Sequence, residues 1–145
     1  MVPDFAEDDN LPPGVHPAEW DELVARFGWN PRRLQLLAGL KRALVPLRSA
    51  GCRQLYLDGS FVTAKEIPGD YDAAWNPIGV NLLMLRLVEP VFFDFRNKRA
   101  AQKAKYGGEF FPSTGDADGC GKTFFDFFQQ DKSTGLPKGI VVITP

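Results

Sequence analysis

Apolar positions between residues 31 and 50 recur every three or four residues. Leu34, Leu37, Ala38, Leu40 and Leu44 fall on one side of a helix, the spacing of a helix that packs one face and leaves the other to solvent. Asn30 stands where an N-cap belongs, Pro31 at the first helical position and Gly51 at the end, so the spacing predicts a helix over "NPRRLQLLAGLKRALVPLRSAG". Pro46 is expected to kink or shorten it. An earlier segment, "HPAEWDELVARFGW", also reads as helix, with Pro17 in its first turn and Gly28 near its end. His16 is expected to start that helix. Residues 1–15 read as an extended N-terminal arm and residues 16–145 as a single domain.

The period then shortens. "RQLYLDG", "DYDAAW" and "PVFFDF" read as strands, and "GIVVI" as a final one. "NPIGVNLLMLRLVE" is apolar enough for a buried helix or a strand, and periodicity does not separate the two. "RNKRAAQKAKYGG" predicts a helix that stops at Gly107-Gly108. "FFPSTGDADGCG" reads as loop and "KTFFDFFQQ" as a short aromatic helix. Helices alternating with short strands imply an α/β or α+β fold, a small mixed β-sheet flanked by helices.

Composition narrows the functions. The 145 residues suffice for one domain with a real core. A net charge of -1 supplies no overall pull toward nucleic acid or an anionic membrane, so such contacts must be local. Cys52 and Cys120 lie far apart and form no CxxC pair; they read as reduced thiols. A single histidine, His16, rules against His-rich metal sites and most histidine triads. No stretch reaches the roughly 20 apolar residues of a membrane span. The acidic, Pro-rich start "MVPDFAEDDNLPPGV" does not read as a signal peptide, and a cytoplasmic protein is expected.

The chemistry concentrates in "LYLDGSFVTAKEIPGDYDAAW", residues 55–75. On a strand, residues two apart share a face. Asp70, Asp72 and Ala74 therefore share one face, and Tyr71, Ala73 and Trp75 the other. The aromatic face suits the core, while the acidic face needs positive partners. Hard divalent cations prefer carboxylate oxygens, and two ions about 4 Å apart stabilise the attacking and leaving oxygens of a nucleotidyl displacement. Gly59-Ser60 ends the preceding apolar run, where glycine admits a close ligand and amides at a helix start bind phosphate. Pro68-Gly69 turns the chain into the acidic strand. Asp94, in "VFFDF", is a third acid on an expected central strand, positioned to complete the metal ligands or accept a proton. A plain ion pair of Asp94 with Arg96 or Lys98 is the structural alternative.

Two further signals compete. Gly121-Lys122-Thr123 suggests a phosphate loop, but that pattern needs glycine five residues before Gly121, where Asp116 stands. The basic segment places Arg96, Arg99 and Lys103 on one expected helical face, to meet a triphosphate or a nucleic-acid acceptor, or simply to face solvent. The 12 phenylalanines cluster at 92–95, 110–111 and 124–128, mostly as core.

Gly59-Ser60, nine intervening residues, Asp70-Tyr71-Asp72 and the later Asp94 resemble the signature of the DNA polymerase beta-like nucleotidyltransferases, closest to the minimal type. The run from "LPPGVHPAEWDELVARFG" through "AAQKAKYGGEFFP" to "GLPKGIVVI" also resembles small, mostly uncharacterised bacterial proteins that carry such a core. The resemblance implies two Mg2+ ions and transfer of NMP from an NTP such as ATP to an RNA, protein or small-molecule hydroxyl, with pyrophosphate released. By position, Asp70, Asp72 and Asp94 would be the catalytic, metal-binding acids. Gly59 and Ser60, with Lys65, Arg96, Lys98 and Arg99, would bind the nucleotide. Small members often act in bacterial toxin–antitoxin or defence pairs, which implies a protein partner encoded nearby. The other expectation is a non-catalytic module that binds a partner or RNA on the same frame.

Overall fold

The computed structural model describes all 145 residues. Two helices precede the first central strand. Helix α1, Trp20–Phe27, buries Leu23 and Phe27, one turn apart, and leaves its acids outward. Helix α2, Pro31–Ser49, starts as its sequence dictates, for the Asn30 side chain accepts from the Arg33 amide at 2.9 Å. It buries Leu36, Leu37, Leu40, Ala43 and Leu47. It runs on through Pro46 to Ser49, so the proline sits within the final turn rather than ending the helix.

Five strands form one mixed sheet. They are β1 (Gly14–Pro17), β2 (Leu55–Asp58), β3 (Tyr71–Trp75), β4 (Gly108–Pro112) and β5 (Gly139–Ile143), in the order β1-β5-β2-β3-β4. The β1–β5 and β3–β4 pairs are parallel, and β2 is antiparallel to both β5 and β3. Alternation along the strands sorts the side chains as their period requires. Leu55, Leu57, Tyr71, Ala73, Trp75, Phe110, Val141 and Ile143 join α1 and α2 in the main core. Tyr56, Ala74, Phe111 and Ile140 face the other way, under the aromatic helix α5, Phe124–Phe128. Each large apolar side chain so buried contributes about 1.5–3 kcal/mol.

Several expectations change. His16 and Pro17 belong to β1, not to the start of a helix; β1 is an edge strand, where a proline costs no ladder bond, and the His16 ring bonds the Pro12 carbonyl oxygen at 2.6 Å. The ambiguous apolar stretch contains helix α3, Leu82–Val88, capped by Asn81. "PVFF" is a 3-10 turn, Pro90–Phe93, not a strand, and Asp94 follows it in irregular backbone. Strand β4 lies where loop was expected. Its two glycines have different causes: Gly107 takes the left-handed conformation that ends the preceding helix (φ +83°), and a Cβ on Gly108 would stand 2.4 Å from the Tyr71 ring.

Helix α4, Arg96–Tyr106, opens with Asn97, Lys98 and Arg99 all left-handed, at φ +51°, +55° and +62°. That turn removes the face expected to unite Arg96, Arg99 and Lys103. Arg96 binds Asp94, whereas Arg99 and Lys103 both bind Glu109. No helix is long and apolar enough to cross a membrane.

Candidate functional site

Strand register builds the site. Asp58 on β2 pairs with Asp72 on β3, and Asp72 pairs with Glu109 on β4. Paired residues share a face, so three carboxylates form one row across three adjacent strands, beside the row that α5 covers. Asp70 stands two residues ahead of Asp72, just before β3.

These acids differ in their partners. Lys138 Nζ lies 2.8 Å from Asp58 Oδ1, near enough for an ion pair but off a hydrogen bond's line. Glu109 holds Arg99 at 3.3 Å and Lys103 at 2.9 Å. Asp70 and Asp72 have no ion-pair or hydrogen-bond partner. Burial, then the negative charges of Asp58, Glu109 and Asp70, push the Asp72 carboxyl up to about 7. Burial and Glu109 raise Asp70 as well, and burial raises Asp58 despite Lys138. A cation placed at Asp72 would relieve a large accumulated repulsion.

Gly59 shapes the other wall. It adopts φ +86°, which only glycine takes readily, at the start of the 3-10 turn Ser60–Val62. A Cβ there would stand 3.0 Å from Asp72 Oδ2. The chain beyond is hung on Arg33, a fully buried side chain of α2 that donates to the carbonyl oxygens of Phe27, Phe61, Thr63 and Lys65 at 2.6–3.2 Å. The turn is therefore fixed from behind by a charge-assisted network.

Two clefts meet at Asp72. One, of about 250 Å³, is lined by no hydrophobic residue and includes Asp58, Gly59, Ser60, Lys132, Ser133 and Lys138. The other, of about 230 Å³, is lined by Phe111, Phe124, Phe127 and Phe128 together with Arg99 and Glu109. Asp72 and Lys132 line both.

The predicted residues thus separate. Gly59, Ser60, Asp70 and Asp72 come together, and Arg99 reaches the site through Glu109. Asp94 is not on a strand and is not in the row. Its carboxylate is bound by Arg96 Nε and Nη2, both at 3.0 Å, and that arginine holds it below the usual carboxylate range. Lys65, Arg96 and Lys98 line neither cleft; all three are exposed. The third acid beside Asp72 is Glu109, whose signal was an acid between Gly108 and Phe110 on an unrecognised strand. Asp58 was visible directly before Gly59, but its burial was not.

As folded, no three acidic, histidine or cysteine side chains converge on a common point that would enclose an ion. The donor set still suits Mg2+. Asp70 and Asp72 offer hard oxygens that are in no ion pair, although Lys103, Arg32 and Lys132 act on Asp70 and Lys132 on Asp72 from further off. Asp58 and Glu109, by contrast, are held by lysine and arginine. The glycine-rich loop before α5 is a different matter. Asp116 Oδ1 accepts from the amides of Gly119 and Gly121, and Asp118 Oδ1 from those of Cys120 and Lys122. Its amides serve its own acids, not a phosphate.

Residues 3–144 match the profile of a family of unknown function, DUF6932, and the chain belongs to that family. No curated protein and no solved structure matches the chain.

Proposed function

We propose that the protein is a Mg2+-dependent nucleotidyltransferase that moves NMP from an NTP to an acceptor hydroxyl. The observation that carries this reading is Asp72: a largely buried carboxylate with no ion-pair or hydrogen-bond partner, in a row of acids and against the Gly59-Ser60 turn. Asp70 and Asp72 would hold the ion, with Glu109, itself paired with Arg99 and Lys103, as the supporting acid beside them in place of Asp94. Bound there, Mg2+ would neutralise charge on the phosphates and on the attacking and leaving oxygens. Gly59 and Ser60 line the polar cleft, where Lys132 and Lys138 would add positive charge for the triphosphate. The neighbouring phenylalanine cleft suits the base. The acceptor hydroxyl attacks the α-phosphorus, its proton passes to a carboxylate of the row, and pyrophosphate leaves.

The test is incubation with each α-labelled NTP and Mg2+, with bulk tRNA and cell lysate as acceptors. Label moved by the intact protein but not by Asp70→Ala/Asp72→Ala supports the reading. No transfer together with no Mg2+-dependent NTP binding overturns it.

A second reading, a contact module on the same frame, has its own observation. Helix α3 buries only Leu85 and leaves Leu82, Leu83, Leu87 and Val88 at 50–76% exposure. Retained partner binding by a protein that never binds NTP would favour it.

A further inference from the structure

A third cavity shares no lining residue with either cleft. It is a groove of about 570 Å³ between α2 and α4. Arg32, Arg42, Lys103 and Lys105 line it, and Asp70 is the only acid in its wall. We propose that this groove binds a single strand of nucleic acid through its phosphates and presents the strand's end at Asp70, which makes it the acceptor site. The acceptor role rests on the transferase reading; the binding itself does not.

The arginines carry the argument. Arg42 Nη2 donates to the Lys105 carbonyl oxygen at 2.8 Å, and Arg32 donates to the carbonyl oxygens of Pro68 and Gly69. Carbonyl oxygens fix the position of a guanidinium without neutralising it; neither arginine is in an ion pair, and only Asp70 acts on Arg32 from within the groove. The two lysines are partly offset, Lys105 by Glu89 at 2.6 Å and Lys103 by Glu109 at 2.9 Å. The second of these pairs joins the groove to the acid row, because the ammonium that lines the groove is the one on Glu109.

The floor is closed. Gly39 of α2 lies so near α4 that a Cβ would stand 2.1 Å from the Tyr106 carbonyl oxygen. The cavity therefore lies over the line where the two helices touch. It offers no aromatic face for stacking, since the Tyr106 side chain is buried. Contacts would go to phosphates, and binding would be tolerant of sequence. The same arginine forks also match carboxylates, so an acidic peptide is the competitor that the experiment must exclude.

The experiment is fluorescence anisotropy of a labelled single-stranded RNA 12-mer with the full chain at several salt concentrations, and Mg2+-dependent NTP binding measured in parallel. Arg42→Glu should weaken RNA binding severalfold and lower the slope of log K against log salt by about 1. Lys41→Glu, next along α2 but outside the groove, should change neither, and NTP binding should survive in both variants. No salt-dependent RNA binding by the intact chain overturns the inference, as does binding indifferent to Arg42→Glu. Polyglutamate displacing the RNA at equal charge also overturns it. If NTP binding stands while RNA binding is absent, the inference fails and the transferase reading does not. RNA binding without NTP binding supports the groove and removes its acceptor role.

Discussion

Residues 55–75 and residues 90–112 each carry an acid between apolar or aromatic neighbours, and fold very differently. In the first segment two strands pair directly, and Asp72 is delivered to an interior strand without an ion-pair partner, with Lys132 only lining the same clefts. In the second the chain makes a 3-10 turn and then a left-handed turn before it reaches a strand, and Asp94 ends beside Arg96 in solvent. The lesson concerns partners as much as position. A cation two residues away uses up a carboxylate, whereas an acid brought up against other acids is left able to take a metal.

The largest effect should come from exchanging the two. Asp72→Ala should weaken Mg2+-dependent NTP binding by at least about 100-fold, since even supporting residues around a metal cost 10–100-fold. Asp94→Ala should leave it within about twofold, with no measurable change in thermal midpoint, because exposed pairs contribute little. Isothermal titration with a non-hydrolysable NTP decides. Equal losses would place Asp94 in the site after all.

Stability separates the segments next. The folded Asp72 carboxyl titrates near 7, well above the unfolded value of about 3.9, so the native state holds the extra proton between those values. Stability from this group is therefore full below about pH 4, falls as pH rises, and is lost above about 7. Asp72→Asn removes that dependence. It should gain on the native protein by about 2–4 kcal/mol between pH 4 and pH 8, read by urea unfolding at each pH. A difference that stays constant with pH would mean that Asp72 is not buried among charges.

What could be read beforehand follows the same division. Helix α2 was legible from its Asn30 cap and its length, but its packed face was not: Leu34 and Ala38 are exposed while Leu36, Ala43 and Leu47 are buried. Strands β2, β3 and β5 were legible as short apolar runs. The assignment of Asp72 and Tyr71 to opposite faces held because strand periodicity is local. The row Asp58–Asp72–Glu109 was not legible, since which residues stand opposite one another depends on register between strands distant in sequence. Strand β4 was hidden because Gly107-Gly108 reads as a helix stop, while Gly108 is required by the Tyr71 ring. Strand β1 was hidden by prolines that only an edge position tolerates. Nothing in "RNKR" announces three left-handed residues.

Removing Glu109 sharpens the comparison from the other side, with a smaller effect. Glu109→Gln deletes one of the negative charges that raise Asp72 and releases Arg99 and Lys103. NTP binding with Mg2+ should fall about tenfold, the lower end for a group supporting a metal site. The pH at which Asp72 costs stability should move down. If the titration moves while binding does not, Glu109 is a neighbour of the site and not part of it.

The smallest expected effect tests the turn that sets the second segment apart. Lys98 sits at φ +55°, ψ +42°, where an L side chain costs about 1–2 kcal/mol. Glycine escapes that cost but loses about 0.5–1 kcal/mol of chain entropy. Lys98→Gly should therefore stabilise the protein by about 0.5–1 kcal/mol in urea unfolding. Asn97→Gly should do less, because asparagine tolerates this conformation. Were residues 97–99 an ordinary right-handed helix, Lys98→Gly would instead cost about 1 kcal/mol. The sign alone discriminates: a loss would restore the helical face on which Arg96, Arg99 and Lys103 were first expected, and would reopen a nucleotide-binding role for Arg96.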